Sequence, residues 1–254
     1  MEGFIKFIGT GGARIVASRQ VRSTGGIWLN YLSTNLYIDP GPGALVRLHA
    51  LQERLEPSRL DGILLTHKHL DHANDVNLLI EAMTESGFKK RGVLYCPADA
   101  LDGDPVVLRY VRGYLEGIEV LEASRSYRIK DIAFTSPVRH VHPVEVYGLI
   151  FELNKRIGLV SDTRFFEELS GHYQVDILIA NVLRVRPILS GDPIDHLSVD
   201  DFKRLVSAIR PEVAIMTHFG MNIIRERPAL IAKKLTQELG VEVIAAYDGM
   251  KWAL

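Results

Sequence analysis

The chain has 254 residues, 47% of them hydrophobic and 24% charged, with a formal net charge of −1; it is long enough to bury a substantial core and lacks the basic field of a protein that coats nucleic acid. Cys96 is the only cysteine, which excludes an intrachain disulfide and a cysteine-built zinc cage, and fits a reducing, cytoplasmic setting. The opening "MEGFIKFIGTGG" lacks the basic start and long apolar run of a signal peptide, and no apolar stretch approaches the roughly 20 residues of a bilayer span, so no membrane association is expected.

In chain order, "GFIKFIG", "GIWLNYL" and "NLYID" read as strands: short, rich in β-branched and aromatic residues, and bounded by Gly, Asn or Asp. A helix is expected over 43–55, with Leu45, Leu48, Leu51 and Leu55 on one stripe. "GILLTH" is a strand, 72–86 a helix and "GVLYC" a strand. "YGLIFELN", "RIGLVSD" and "VDILIAN" follow as strands. A helix over 198–209 opens at Ser198 with Asp201 three residues on and closes at Pro211. "VAIMTH" is a strand, and 226–239 is a helix with Pro228 in its first turn and Gly240 past its end. "VEVIAAY" is the last strand. Apparent hairpins followed by alternating strands and helices predict an α/β fold with mixed sheets and outer helices, in one domain over residues 1–254.

The densest chemistry is "THKHLDH", at the end of the strand "DGILL". Alternate residues of an extended loop point the same way, so His67, His69 and Asp71 can converge. Asp71 and His72 are adjacent and diverge, and one turn can send them to a second centre. That is a plan for two metal ions, and neutral imidazole with carboxylate suits Zn²⁺, as well as Fe or Mn.

"THKHLDH" resembles the H-x-H-x-D-H signature of the metallo-β-lactamase superfamily. The resemblance extends over roughly 1–220: "NLYIDPGPG" is similar to the strand and turn upstream of the signature, "HPVEVYGLIFE" to the third motif and "GLVSDT" to the fourth. "DHLS", a helix and "VAIMTHFG" resemble the branch of ribonuclease Z and the cyclic phosphodiesterases. The resemblance implies a four-layer αββα sandwich of two mixed sheets flanked by helices. It also implies a ligand set of His67, His69 and His142 on one ion, Asp71, His72 and His218 on the other, and Asp162 bridging, with Asp71 counted among the catalytic groups too. His140 and His142 share parity in "RHVHP"; the six-residue spacing to Gly148 favours His142 and leaves His140 as the alternative. Asp39 either orients a ligand imidazole or only shapes the turn "DPGPG".

With two ions, two carboxylates and a metal-bridging hydroxide, the cluster keeps about one positive charge and favours an anionic substrate. His196 resembles the non-ligand histidine used as general acid in the ribonuclease Z branch, and Asp195 could orient it. Arg14, Arg19, Arg22, Arg184 and Arg186 are candidate phosphate contacts near the mouth. "GTGGAR" is not a dinucleotide fingerprint, because Arg14 takes the last glycine position. Asn30 and Tyr31 are placed nowhere by the sequence, and His49 and His172 read as surface residues.

Phosphodiester hydrolysis leads. The other readings are a thioester or lactone hydrolase resembling the glyoxalase II and lactonase branches, and a non-catalytic metal-binding member. The segment 143–161 leaves no room for the arm that grips tRNA in ribonuclease Z. The expected substrate is therefore a small anionic molecule or phosphodiester, single-stranded nucleic acid included and tRNA excluded. A homodimer is compatible with all of this.

Overall fold

Residues 2–187 and 195–254 are described in a computed structural model of the chain. Strands β1 (Gly3–Phe7), β2 (Ile27–Tyr31) and β3 (Thr34–Ile38) form an antiparallel meander. β4 (Gly62–Leu64), β5 (Val93–Cys96) and β6 (Gly117–Val120) then add in parallel. The second sheet repeats the plan. β7 (Arg125–Ile129), β8 (Ile132–Ser136), β9 (Leu149–Glu152) and β10 (Arg156–Val160) are antiparallel. β11 (Ile177–Arg184), β13 (Val213–Thr217) and β14 (Glu242–Ala245) extend it in parallel, with the short β12 (Leu197–Ser198) against β11. The last strand, β15 (Lys251–Ala253), returns to pair with β1.

The period of two along each strand distributes side chains between layers. Ile177 and Ile179 of β11 join Ile5, Phe7, Leu36 and Phe134 between the sheets, while Leu178 and Ala180 face outward. Three apolar layers result. One lies between the sheets, one under the helices of the first sheet and one under those of the second. Helices α1 (Ala13–Arg19), α2 (Ala44–Ala50), α3 (Leu70–Ala73), α4 (Val76–Met83) and α5 (Arg109–Arg112) belong to the first half, and α6 (Val199–Ile209), α7 (Met221–Arg225) and α8 (Pro228–Leu239) to the second. The architecture is the expected αββα sandwich. Among the described residues no helix is long and apolar enough to cross a membrane.

Two expected helices differ in extent. The stripe over 43–55 is helical only to Ala50, because Leu51 is extended (φ −70°, ψ 141°). The segment 72–86 is two helices that meet at Asn74 and Asp75, and the first starts at Leu70, inside the histidine motif. The third expected helix forms as α6 with its capping box intact: Asp201 N–H donates to Ser198 Oγ at 3.1 Å and Ser198 N–H to Asp201 Oδ2 at 2.9 Å, a cap worth about 1 kcal/mol. Gly240 closes α8 in the left-handed conformation (φ 65°). Strands β6, β7 and β8 have no counterpart among the expected segments. β7 buries only Tyr127 and Ile129, so its polar sequence "RSYRI" hides a one-sided edge strand. The helix α1 was likewise hidden behind the glycines of "GTGGAR".

Strand direction fixes where the functional groups gather. β1, β3 and β4 run the same way in one sheet, and β8, β10, β11 and β13 in the other. Their C-terminal ends form one rim, the usual ligand position in such sheets.

Candidate metal centre

Each motif leaves a strand at this rim. "THKHLDH" follows β4, Asp39 follows β3, His142 lies beyond β8, Asp162 follows β10 and His218 follows β13. His196 sits just before β12. Three overlapping groups have potential ligand atoms within 4.8 Å of one another: His67, His69, His142 and Asp162; Asp71, His72 and His218; and Asp162, His196 and His218. All seven residues expected as ligands, and His196, are therefore together. The first two groups form two candidate metal-ligand clusters.

The spacings suit shared cations. His72 Nε2 lies 2.9 Å from His218 Nε2 and 3.4 Å from Asp162 Oδ2. His142 Nε2 is 3.1 Å from His69 Nδ1, and His67 Nε2 is 3.6 Å from Asp162 Oδ2. Asp71 Oδ2 stands 3.2 Å from His218 Nε2. Ligands on one tetrahedral ion with bonds near 2.05 Å are about 3.3 Å apart, inside this range.

Hydrogen bonding at the outer edge of the rings decides the donor atoms. Thr66 Oγ1 donates to Asp39 Oδ2 at 2.7 Å. Its one proton is thereby used, so at 3.1 Å it accepts from His67 Nδ1–H. His67 Nε2 is then a bare lone pair, and it is buried with no hydrogen-bond partner among the described residues. His72 Nδ1 meets Asp39 Oδ2 at 2.9 Å, which turns His72 Nε2 toward the cluster. His142 Nδ1 donates to the Asp195 carbonyl at 2.8 Å with the same effect on its Nε2. The lone pairs of His67 and His142 and the inward-facing Nε2 of His72, aimed into one space, fit a metal centre.

The electrostatics agree. Burial pushes the His67 imidazole well below its ordinary value, pushes His69 down to about 4 and lowers His142. These rings stay neutral, the form that binds metal. At His72 burial opposes charge, but Asp162, Asp71 and Asp39 together outweigh it and raise the pKa well above the usual range. Burial also opposes the charge of Asp71 and Asp162, and the surrounding imidazoles overcome it, holding both below the carboxylate range. Positive charge is thus favoured where the carboxylates converge.

Several supporting residues were not anticipated. Asn181 Nδ2 donates to Asp162 Oδ1 at 2.9 Å, and Ser161 Oγ lies 2.8 Å from Thr66 Oγ1. Ala13 N–H donates to Asp71 Oδ2 at 2.7 Å. A side chain on Gly12 would put its Cβ 2.2 Å from His218 Nδ1, so that loop passes directly against the ring. Asp248 fastens the loop by accepting from Thr10 N–H at 2.9 Å and Ser23 N–H at 2.8 Å. Asn181, a polar residue within the otherwise apolar β11, carries a readable signal; a backbone N–H such as that of Ala13 carries none.

Other candidates fall elsewhere. His140 is buried beyond the cluster, with Nε2 2.7 Å from the Tyr173 hydroxyl, and burial pushes its pKa down to about 3. Arg22 is a structural clip: it donates to Thr10 Oγ1 at 2.9 Å and lies over the Phe219 ring. Arg14, Arg19 and Arg186 are exposed, and Arg184 is half-buried at the end of β11. Asn30 bonds to Asn35 at the β2–β3 turn, the opposite end of the sheet from the rim. His49 and His172 are exposed. Most of "PILSGDP" and the start of "DPIDHLS" lie at 188–194, outside the described residues.

A four-layer sandwich with two histidine–aspartate clusters on one rim defines a protein of the metallo-β-lactamase fold. Residues 34–219 match the Beta-lactamase superfamily domain, and the chain belongs to that superfamily. It is 33% identical over 258 residues to an uncharacterized protein of Methanocaldococcus jannaschii, covering 97% of this chain and 93% of that one. Among solved structures, the metallo-beta-lactamase fold protein YhfI of Bacillus subtilis superimposes with a TM-score of 0.79 at 19% identity, over 98% of each chain. A diphosphatase of the PhnP family gives 0.71 at 18% identity, over 99% of this chain and 98% of that one. The family and the two clusters support a metal-dependent hydrolase.

Proposed function

We propose that the protein is a dinuclear metal-dependent phosphodiesterase. His67, His69 and His142 would hold one divalent ion, Asp71, His72 and His218 the other, and Asp162 would lie between them. The imidazole-rich donor set suits Zn²⁺, with Mn²⁺ or Fe²⁺ as substitutes. Such a pair, when bound, supplies water ionised near neutral pH and offsets charge on the attacked oxygen.

The observation that carries the reading is His196. It lies outside both ligand triads, yet its Nε2 is 3.0 Å from Asp162 Oδ2. A proton held at that nitrogen is placed to reach a departing alkoxide. Thiolates leave without such help, so a thioester hydrolase has less use for this histidine. Asp71 combines its ligand position with a fixed orientation, since the Ala13 N–H holds the same oxygen that faces His218. The PhnP-family relative is a diphosphatase, which supports chemistry on phosphate. Between His142 and Asp162 the chain is taken up by β9, β10 and their turns. That favours a small or single-stranded phosphodiester substrate over tRNA.

The test compares bis(p-nitrophenyl) phosphate, an alkyl phosphodiester, a thioester and a lactone. Phosphodiester turnover should vanish with chelator and return with zinc. His196→Ala should slow the alkyl ester by about 10²–10⁴-fold and the p-nitrophenyl ester far less, because nitrophenolate departs without a proton. Thioester or lactone turnover exceeding both phosphodiesters would overturn the assignment.

A further inference from the structure

We infer that Arg164 is a positioning residue: by holding the Asp195 carboxylate, it closes a ring of hydrogen bonds that sets the tautomer of His142 and fixes His196 beside Asp162. The inference rests on the metal-centre reading above and adds a residue that neither the sequence motifs nor the ligand clusters contain.

The ring can be traced bond by bond. The Arg164 N–H donates to the Val141 carbonyl at 3.0 Å, and the Val141 N–H donates to Thr163 Oγ1 at 3.1 Å. Segment 162–164 is thereby stitched to segment 140–142. The Arg164 side chain then crosses to a third segment, with Nε donating to Asp195 Oδ1 at 2.7 Å. The Asp195 carbonyl comes back to the start by accepting from His142 Nδ1 at 2.8 Å. The peptide bond between Val141 and His142 completes the circuit.

Each link has a consequence. A carbonyl oxygen only accepts, so His142 carries its proton on Nδ1 and presents a lone pair at Nε2, toward His69. The direction of the Asp195 carbonyl depends on the backbone rotation of that residue, and its buried side chain is anchored by one guanidinium. The next residue is His196. Its far ring nitrogen, Nδ1, is buried and has no hydrogen-bond partner among the described residues. The ring is flanked by His142 and His218, but no hydrogen bond among the described residues holds its far nitrogen, so the backbone at Asp195 contributes to its placement against Asp162. Arg164 itself is largely exposed and touches none of the proposed ligands through its side chain.

The test uses the full chain with Arg164→Met, which keeps the aliphatic stem and removes every donor, and Arg164→Lys, which restores one. Imidazole nitrogen NMR of the protein stripped of metal reads the His142 tautomer directly. Wild type and Arg164→Lys should show Nδ1–H, and Arg164→Met a mixture. Zinc competition with a chromogenic chelator should show one of two bound equivalents weakened about tenfold or more in Arg164→Met, with the other within twofold. A purely structural role would lower the melting temperature while leaving the tautomer unchanged and weakening both equivalents alike. An unchanged His142 tautomer in Arg164→Met overturns the inference. Should Arg164→Met not fold, Arg164→Gln carries the same expectation and the same overturning result. Loss of the metal-centre reading would look different: wild type itself would retain no zinc, while the tautomer would still report on the ring.

Discussion

Asp39 Oδ2 and His72 Nδ1 lie 2.9 Å apart, and Asp39 adopts a left-handed backbone (φ 53°) at that position. The same carboxylate accepts from Thr66 N–H and from the Thr66 hydroxyl, both at 2.7 Å, and through that hydroxyl it also orients His67. One buried aspartate thus aims a ring in each cluster. Asp39→Asn suits the left-handed backbone but replaces one acceptor oxygen with a donor. Zinc affinity at both sites should fall about 10–100-fold while the fold is kept, as read by chelator competition beside circular dichroism. Affinities within twofold of wild type would show that Asp39 only shapes its turn.

Gly12 and Ala13 respond oppositely to a change of side chain. A Cβ on Gly12 would lie 2.2 to 2.4 Å from three atoms of the His218 ring. Gly12→Ala should displace the ring and cost the Asp71–His72–His218 cluster its ion, leaving about one zinc equivalent by elemental analysis. Ala13 has φ 62°, a conformation glycine adopts freely. Ala13→Gly should bind both ions and melt within a few degrees of wild type.

His140 and His142 differ in their surroundings, and their proposed roles predict different mutants. His142→Gln should lose one zinc equivalent with a modest change in melting temperature. His140→Ala should keep both equivalents and destabilise the fold by about 2–3 kcal/mol, through a lost buried ring and an unpaired Tyr173 hydroxyl. Calorimetry and metal analysis on the same two proteins decide the point. Reversed outcomes would exchange the two assignments.

Cys96 is buried at the end of β5, and burial pushes its thiol up to about 12. A raised thiol pKa keeps the proton on sulfur at pH 8, leaving very little reactive thiolate. Iodoacetamide at pH 8 should leave the native protein unlabelled and modify one site in denaturant. Rapid native labelling would place the thiol at the surface.

The features legible in the chain were local ones. Period-two apolar runs ending in Asp or His announced most of the strands that carry the centre, Ser198 with Asp201 announced α6, and "THKHLDH" announced two groups of candidate ligands within one turn of chain. These signals survive because spacing and capping act over a few residues. Features that depend on distant partners emerged only on folding. His142 is separated from His140 by a carbonyl of Asp195 and a hydroxyl of Tyr173, each far along the chain. Asp39 becomes an orienting group because β3 lies parallel to β4 and brings it against Thr66. Arg22, a phosphate candidate by composition, is turned into a clip by Thr10 and Phe219. In each case a side chain's chemistry is written in the sequence, but its hydrogen-bond partners are assigned only when the two sheets meet.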